Sequence, residues 1–407
     1  MRQRQFGFRK HRIGYTIFIL SYLCFTVFSS YPSVLAVELP IPTTLVFVVL
    51  QAAALCYFAY RAELSIPIVP AVIFILRLIL FAGNAIALHM SLGTLFYEIV
   101  LTLIYIYVFS FMYSYASEDG TEIRRLLIGL VTVTTLQLAI GILIHGSDKG
   151  EIAAGIGMSN YAATFLLLAF GYFLFSPKTK YRVLWIGVSV CGVLLTLSFG
   201  AYVVLAFLAA LRLVTALDWK LPRSWLILLG LAVAGVLAIA VLAQTDFGRP
   251  VVDKMAEKLR LLFTGNLQAF GSSRLMLYEF TLDNIKRHWA FGPIENFNPN
   301  LAPSDAFFRF QYDRSHNLLL ESLVLYGVFG TLVNLALAIY VCRLAKRRIV
   351  GQPAKKAIVF AVLGTVAHGL IEPNFFTMHF EILLWILLGA LLSPNKRQTP
   401  KLYGEAA

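Results

Sequence analysis

Two stretches of this chain of 407 residues hold side chains whose types and spacing could carry a group transfer. The segment Asp313-Arg314-Ser315-His316-Asn317 stands directly ahead of an apolar run that opens Leu318-Leu319-Leu320. Ser315 is placed to cap a helix there, which would set His316 in its first turn. The positive end of a helix disfavours an imidazolium, so the ring would stay neutral and able to take up a proton. A positioned general base is worth about 10²–10⁴ in rate. The plainer reading is an interfacial histidine hydrogen-bonded near lipid headgroups. Arg274 opens a second helical stretch, and Arg314 lies two residues before His316. Guanidinium groups grip phosphate oxygens with paired donors. The two could therefore hold a diphosphate and stabilise it as a leaving group, although solvated loop charges or headgroup contacts account for them as well.

Other polar residues stand inside apolar runs. Arg77 is flanked by Ile75-Leu76 and Leu78-Ile79. A central Arg costs at least about 2.5–3.5 kcal/mol on insertion scales, so it needs a partner or a wet cavity. Glu98 is the obvious partner, and a structural ion pair competes evenly with a substrate contact. Asn84, Gln137 and Asn160 suit interhelical hydrogen bonds. The pair Glu372-Pro373 follows His368 by one turn, with His379 and Glu381 close behind. These groups could orient an acceptor or His316, or simply end a helix. No His, Asp or Glu set has metal-ligand spacing within one element, there is no Walker A loop, and no cofactor is expected. The four cysteines (Cys24, Cys56, Cys191, Cys342) are far apart in apolar surroundings and read as small packing residues.

The elements that position these groups follow from composition. The apolar set is 59% of the chain and charged residues only 14%, against roughly 25% charged in a soluble protein. Too few charges are present to cover so much apolar surface, so the fold class is an all-α polytopic membrane protein. A span needs about 20 mostly apolar residues. Twelve segments qualify, near 13–31, 41–60, 67–87, 93–114, 126–145, 160–176, 183–198, 201–217, 224–243, 318–342, 356–372 and 379–393. The seventh and eighth could be one run broken at Ser198-Phe199-Gly200.

With the N-terminus cytoplasmic, most of the 34 Lys and Arg residues fall on the cytoplasmic side, while the short outer loops hold only Lys149. That asymmetry is the positive-inside pattern. The net charge of +13 is thus a topology signal, and no nucleic-acid partner is implied. A signal peptide cleaved near Ala36 would leave the other spans oriented as before. The chain divides into spans 1–9 (1–243), a large extracytoplasmic loop (244–316), spans 10–12 (317–393) and a cytoplasmic tail (394–407). Of seven histidines, only His11 is cytoplasmic; His89, His145, His288, His316, His368 and His379 lie at or near outer span ends or in the large loop. Chemistry on the outer face is the natural inference. Loops this long are usually functional. One loop helix starts near Pro250, with Val251, Val252, Met255, Leu259, Leu262 and Phe263 on one face and Lys254 and Lys258 off it, a stripe suited to the membrane surface. A second opens at Ser272-Ser273, runs through Arg274, Tyr278 and Ile285, and stops before Gly292-Pro293.

The stretch Ser273-Arg274-Leu275-Met276-Leu277-Tyr278-Glu279, continuing to Ile285-Lys286-Arg287-His288-Trp289-Ala290-Phe291-Gly292, resembles the loop signature of the O-antigen ligase and O-antigen polymerase superfamily. There an Arg opens a helix that ends in a phrase like "hPlfG". Ser315-His316-Asn317-Leu318-Leu319-Leu320, followed by Tyr326-Gly327-Val328-Phe329-Gly330, resembles its second signature, a His-Asn pair before a span with a G-hydrophobic-hydrophobic-G phrase. Asn160 matches a weaker family position, and Glu372 resembles an acidic residue near the family's penultimate span.

The resemblance implies a metal-independent, inverting, multi-span glycosyltransferase of the cytoplasmic membrane. Its donor would be a glycan on undecaprenyl diphosphate, its acceptor another glycan, in contact with membrane lipids and with flippase and chain-length regulator proteins as partners. His316 would assist the acceptor hydroxyl, and Arg274 with Arg314 would hold the diphosphate. Asn160, Asn317, Glu372 and Tyr278 would bind or orient substrate. One departure stands out: ligases of this family often carry Ser-Arg-Gly between two middle spans, where this chain reads Ser198-Phe199-Gly200. Arg77 or Arg314 would have to supply the missing charge. The loss favours a polymerase joining repeat units of a surface polysaccharide (O-antigen, capsule or exopolysaccharide) over a ligase acting on lipid A core or protein. A transporter or flippase of lipid-linked sugars is the rival of another class. It would show inverted repeats and helices broken at the midplane, whereas the sequence shows no internal repeat.

Overall fold

The protein is seen in a computed structural model that describes residues 65–87, 92–145, 153–154, 157–218, 220–245, 248–266, 269, 274–287, 289–290, 315–372 and 377–394, with Thr16, Leu20, Tyr22, Leu23, Val49 and Leu50 ahead of them. Apart from those six residues, the segments near 13–31 and 41–60 lie outside the described residues, as do the site near Ala36 and the tail from 395. The helices are α1 (Ile68–Ala87), α2 (Leu92–Tyr115), α3 (Thr121–His145), α4 (Ser159–Phe175), α5 (Arg182–Leu195), α6 (Phe199–Ala216), α7 (Pro222–Leu242), α8 (Arg249–Phe263), α9 (Arg274–Arg287), α10 (Leu318–Arg348), α11 (Pro353–Gly369) and α12 (Met378–Leu392). A two-residue antiparallel ladder, β1 (Ala153–Ala154) with β2 (Gly157–Met158), leads into α4. Pro222, Pro250 and Pro353 sit in the first turns of α7, α8 and α11, where the missing amide is no loss.

By length and composition, α3, α6, α7 and α10 can cross a membrane, and α1, α2, α4, α5 and α12 contain shorter apolar helices. This is a membrane protein. α7 makes the case most directly: its best window has a mean hydropathy of 2.8 and none of it is buried inside the protein. An apolar surface on every side of a helix is tolerated only where lipid covers it. α4 is apolar all round for the opposite reason. It is buried along almost its whole length, enclosed by α11, α5, α6 and α3. α12 packs on α2, with Trp385 lying 4.3 Å from the Phe74 ring and 6.0 Å from Phe109. Gly389 makes that approach possible, because a Cβ there would overlap the Phe109 carbonyl.

The runs 183–198 and 201–217 are separate helices, parted by a turn in which Leu197 takes φ 49°. Two expectations are corrected. On α8, Lys254 and Lys258 are half-buried on the same side as Val251 and Met255, while Leu259, Leu262 and Phe263 are exposed. The helix is rolled so that its lysines, rather than its whole apolar stripe, turn inward. Cys191 and Cys342 are free and exposed on α5 and α10, not packed in the core.

Candidate active site

The site is organised around a single carboxylate. Glu372 lies just past the end of α11, with its side chain 2% exposed. Its Oε1 accepts from Asn160 Nδ2 at the start of α4 (2.8 Å) and from Arg274 Nη2 at the start of α9. Its Oε2 bonds His316 Nδ1 (2.9 Å). Burial alone would raise the carboxyl's pKa, yet the His316 hydrogen bond and the Arg274 charge hold it below the ordinary carboxylate value. An ionised Glu372 only accepts, so the proton between them sits on His316 Nδ1. With Nδ1 carrying that proton, Nε2 is the ring atom left to take up another.

The backbone around His316 is as specific as its side chain. The helix cap is Asn317, not Ser315: the Asn317 side chain accepts from the amides of Leu319 (2.9 Å) and Leu320 (3.2 Å). Its Nδ2 also donates to the Leu370 carbonyl (3.1 Å), tying the start of α10 to the turn that carries Glu372. Ser315 is buried, and its amide and hydroxyl both donate to Glu321 Oε2 (2.8 Å each). His316 thus precedes the cap instead of occupying the first turn, and it takes a left-handed φ of 51°. A non-glycine residue there costs on the order of 1–3 kcal/mol, a strain sustained by the Ser315 and Asn317 anchors on either side. The His316 carbonyl accepts from Tyr278 Oη (3.2 Å), one turn along α9 from Arg274. Burial pushes the Tyr278 hydroxyl's pKa up, so it remains a donor.

His368 stands behind this cluster, fully buried, with Nδ1 bonded to Thr164 Oγ1 (2.8 Å), and so ties α11 to α4. Of the residues singled out in the sequence, the structure gathers His316, Arg274, Asn160, Asn317, Tyr278 and Glu372 into one network. Arg314 lies outside the described residues. Arg77 belongs to a different cluster. Its Nη2 donates to Tyr326 Oη (2.8 Å) on α10 and to Glu381 Oε1 (2.9 Å) on α12. Glu381 is therefore its carboxylate partner among the described residues, and the side chain of Glu98, the expected partner, lies outside them.

Tyr326 precedes a break in α10. Gly327 adopts φ 60°, ψ −172°, a region that only glycine enters readily. Beyond the break, the amides of Val328 and Phe329 bond the carbonyls of Trp289 (2.8 Å) and Ala290 (3.3 Å), just past the end of α9. At Gly330 a Cβ would overlap the Tyr326 side chain. Both glycines of Gly327-Val328-Phe329-Gly330 thus serve one geometry, and sequence reading saw the phrase without its purpose. α9 is held at both ends: by Arg274 and Tyr278 in the site, and by its trailing backbone in the broken helix.

Residues 183–335 match the family model described as O-Antigen ligase. The match covers less than half of the chain, and it supports the likeness to the O-antigen ligase and polymerase superfamily. The matched segment runs from α5 into α10 and contains Arg274, Tyr278, His316 and Asn317. Asn160 and Glu372 fall on either side of it, so the site is completed by residues from outside the matched stretch. The matched family is one of glycosyltransferase-type enzymes. No curated protein matches the chain. The turn at Ser198-Phe199-Gly200 lies beside the site, because a Cβ on Gly200 would come within 3.1 Å of Ile371.

Proposed function

We propose that the protein transfers a glycan from undecaprenyl diphosphate to a hydroxyl of an acceptor glycan, at the outer face of the cytoplasmic membrane, joining repeat units of a surface polysaccharide. The observation that carries this is the convergence of His316, Arg274 and Asn160 on the buried carboxylate of Glu372. The acceptor oxygen bonds to the anomeric carbon as the bond from that carbon to the diphosphate oxygen breaks. The proton of the acceptor hydroxyl goes to His316 Nε2, and Glu372 steadies the imidazolium that results. The electron pair leaves with undecaprenyl diphosphate, whose charge Arg274 meets with the guanidinium nitrogens not given to Glu372. Attack on the face opposite the leaving group inverts the anomeric centre.

Transfer to lipid A core or to a protein is the second reading, and the description of the matched family model favours it. The phenylalanine at position 199 favours polymerisation. The test uses purified protein in liposomes with undecaprenyl-diphosphate-linked repeat units. A product ladder from wild type, absent from His316→Ala and Arg274→Ala, supports the polymerase. A single shifted product that forms only on adding lipid A core makes it a ligase. No product with any acceptor from folded protein overturns glycosyl transfer and returns the transporter reading.

A further inference from the structure

α8 takes no part in the transfer described above, although Lys258 on its half-buried side lies near Arg274. Val251 is 2% exposed and Met255 packs against the core, and Lys254 and Lys258 lie on this same side of the helix. Lys258 Nζ donates to the Ala269 carbonyl (2.9 Å), five residues ahead of Arg274. We propose that Lys258 is a second cationic group of the donor site, meeting the diphosphate of the lipid-linked glycan alongside Arg274; this rests on the glycosyl-transfer reading.

Three observations converge on it. Lys258 is close enough to Arg274 for the two charges to interact. Burial lowers the Lys258 pKa, Glu257 opposes this, and the Arg274 charge adds to the lowering. Two like charges held together favour a ligand with two or more negative charges between them. The height is right as well. α8 adjoins α7, the lipid-bathed helix, and exposes Leu259, Leu262 and Phe263 along its outer edge. A helix with that edge sits at the headgroup level, where the diphosphate of a membrane-anchored donor lies. Finally, α8 also packs against α6, the helix that begins at Phe199, where the family's arginine is missing. Lys258 supplies a cation from the neighbouring helix.

The test titrates undecaprenyl diphosphate into the full-length protein in phosphatidylcholine nanodiscs, and again with phosphatidylglycerol present. Lys258→Ala should weaken binding by about tenfold or more, the effect of one lost charge-assisted hydrogen bond. Lys258→Arg should restore most of it. Arg260→Ala, which removes the same charge from the exposed side of α8, should leave it within twofold. Unchanged affinity of Lys258→Ala in phosphatidylcholine, with only the phosphatidylglycerol dependence altered, would make Lys258 a headgroup contact and overturn the proposal. Binding lost in Arg274→Ala but kept in Lys258→Ala removes Lys258 alone and leaves the donor reading standing. Failure of the wild type to bind undecaprenyl diphosphate removes both.

Discussion

Replacing Glu372 by glutamine changes one atom type at the centre of the network, and the outcome can be worked from the bonds. The carboxylate accepts on both oxygens, from Asn160 and Arg274 on Oε1 and from His316 on Oε2. An amide accepts on one side only. Turning its oxygen toward Asn160 and Arg274 satisfies two donors, so its NH2 group faces His316 Nδ1. His316 must then accept there, which places its proton on Nε2 and removes the lone pair that would take the acceptor's proton. Loss of a general base is worth about 10²–10⁴ in rate, or roughly 3–5 kcal/mol of barrier. Arg274 keeps its charge, so affinity for undecaprenyl diphosphate should fall less than tenfold. Single-turnover transfer in proteoliposomes gives the rate, and a product-binding titration gives the affinity. Glu372→Gln with a rate within tenfold of wild type would refute the account of His316 as a base held by Glu372.

Stability should carry the same signature. Because the Glu372 pKa is depressed by folding, its ion pairs contribute fully above the ordinary carboxylate value of 4.5, and the contribution is lost as pH falls through the lower folded value. Thermal unfolding of wild type should therefore weaken on acidification below about pH 4.5, with that part of the slope missing from Glu372→Gln. Gly327→Ala should destabilise by about 1–3 kcal/mol, since no other residue adopts its backbone without strain. Hydrogen exchange should then quicken at Val328 and Phe329, whose amides depend on the break, and an unchanged exchange pattern would mean that Trp289 and Ala290 do not hold α9 there.

What could be read from the sequence was chemistry that stays local. His-Asn ahead of an apolar run and Arg at a helix start are visible without knowing what lies opposite, and both helices of the large loop were placed from Pro250 and from the residues around Arg274. The hub was harder to see. Glu372 reads as an acid at a helix end that could orient His316, but nothing in a linear pattern shows that it also meets Asn160 from 212 residues away. Arg77 shows the same limit. Helical spacing gives the face a residue occupies but not which helix covers it, so neither Glu381 nor Tyr326 can be named from the sequence as a partner of Arg77. Residue type alone makes Ser315 the cap, while the buried Glu321 draws its hydroxyl away and leaves capping to Asn317. On α8 the apolar stripe was legible, but the roll of the helix is set by its neighbours.

The placing of Glu372 also sets when the site can come into being. Asn160, Arg274 and His316 are all synthesised before the carboxylate that joins them, and each precedes it by 212, 98 and 56 residues respectively. Contacts between such distant parts of a chain form late and slowly. During synthesis the loop arginine and the histidine are therefore exposed without their partner, and the base has nothing to fix its proton. Only the arrival of the turn after α11 closes the network. A ribosome-bound chain stopped before that turn would be inserted and largely helical, yet inert.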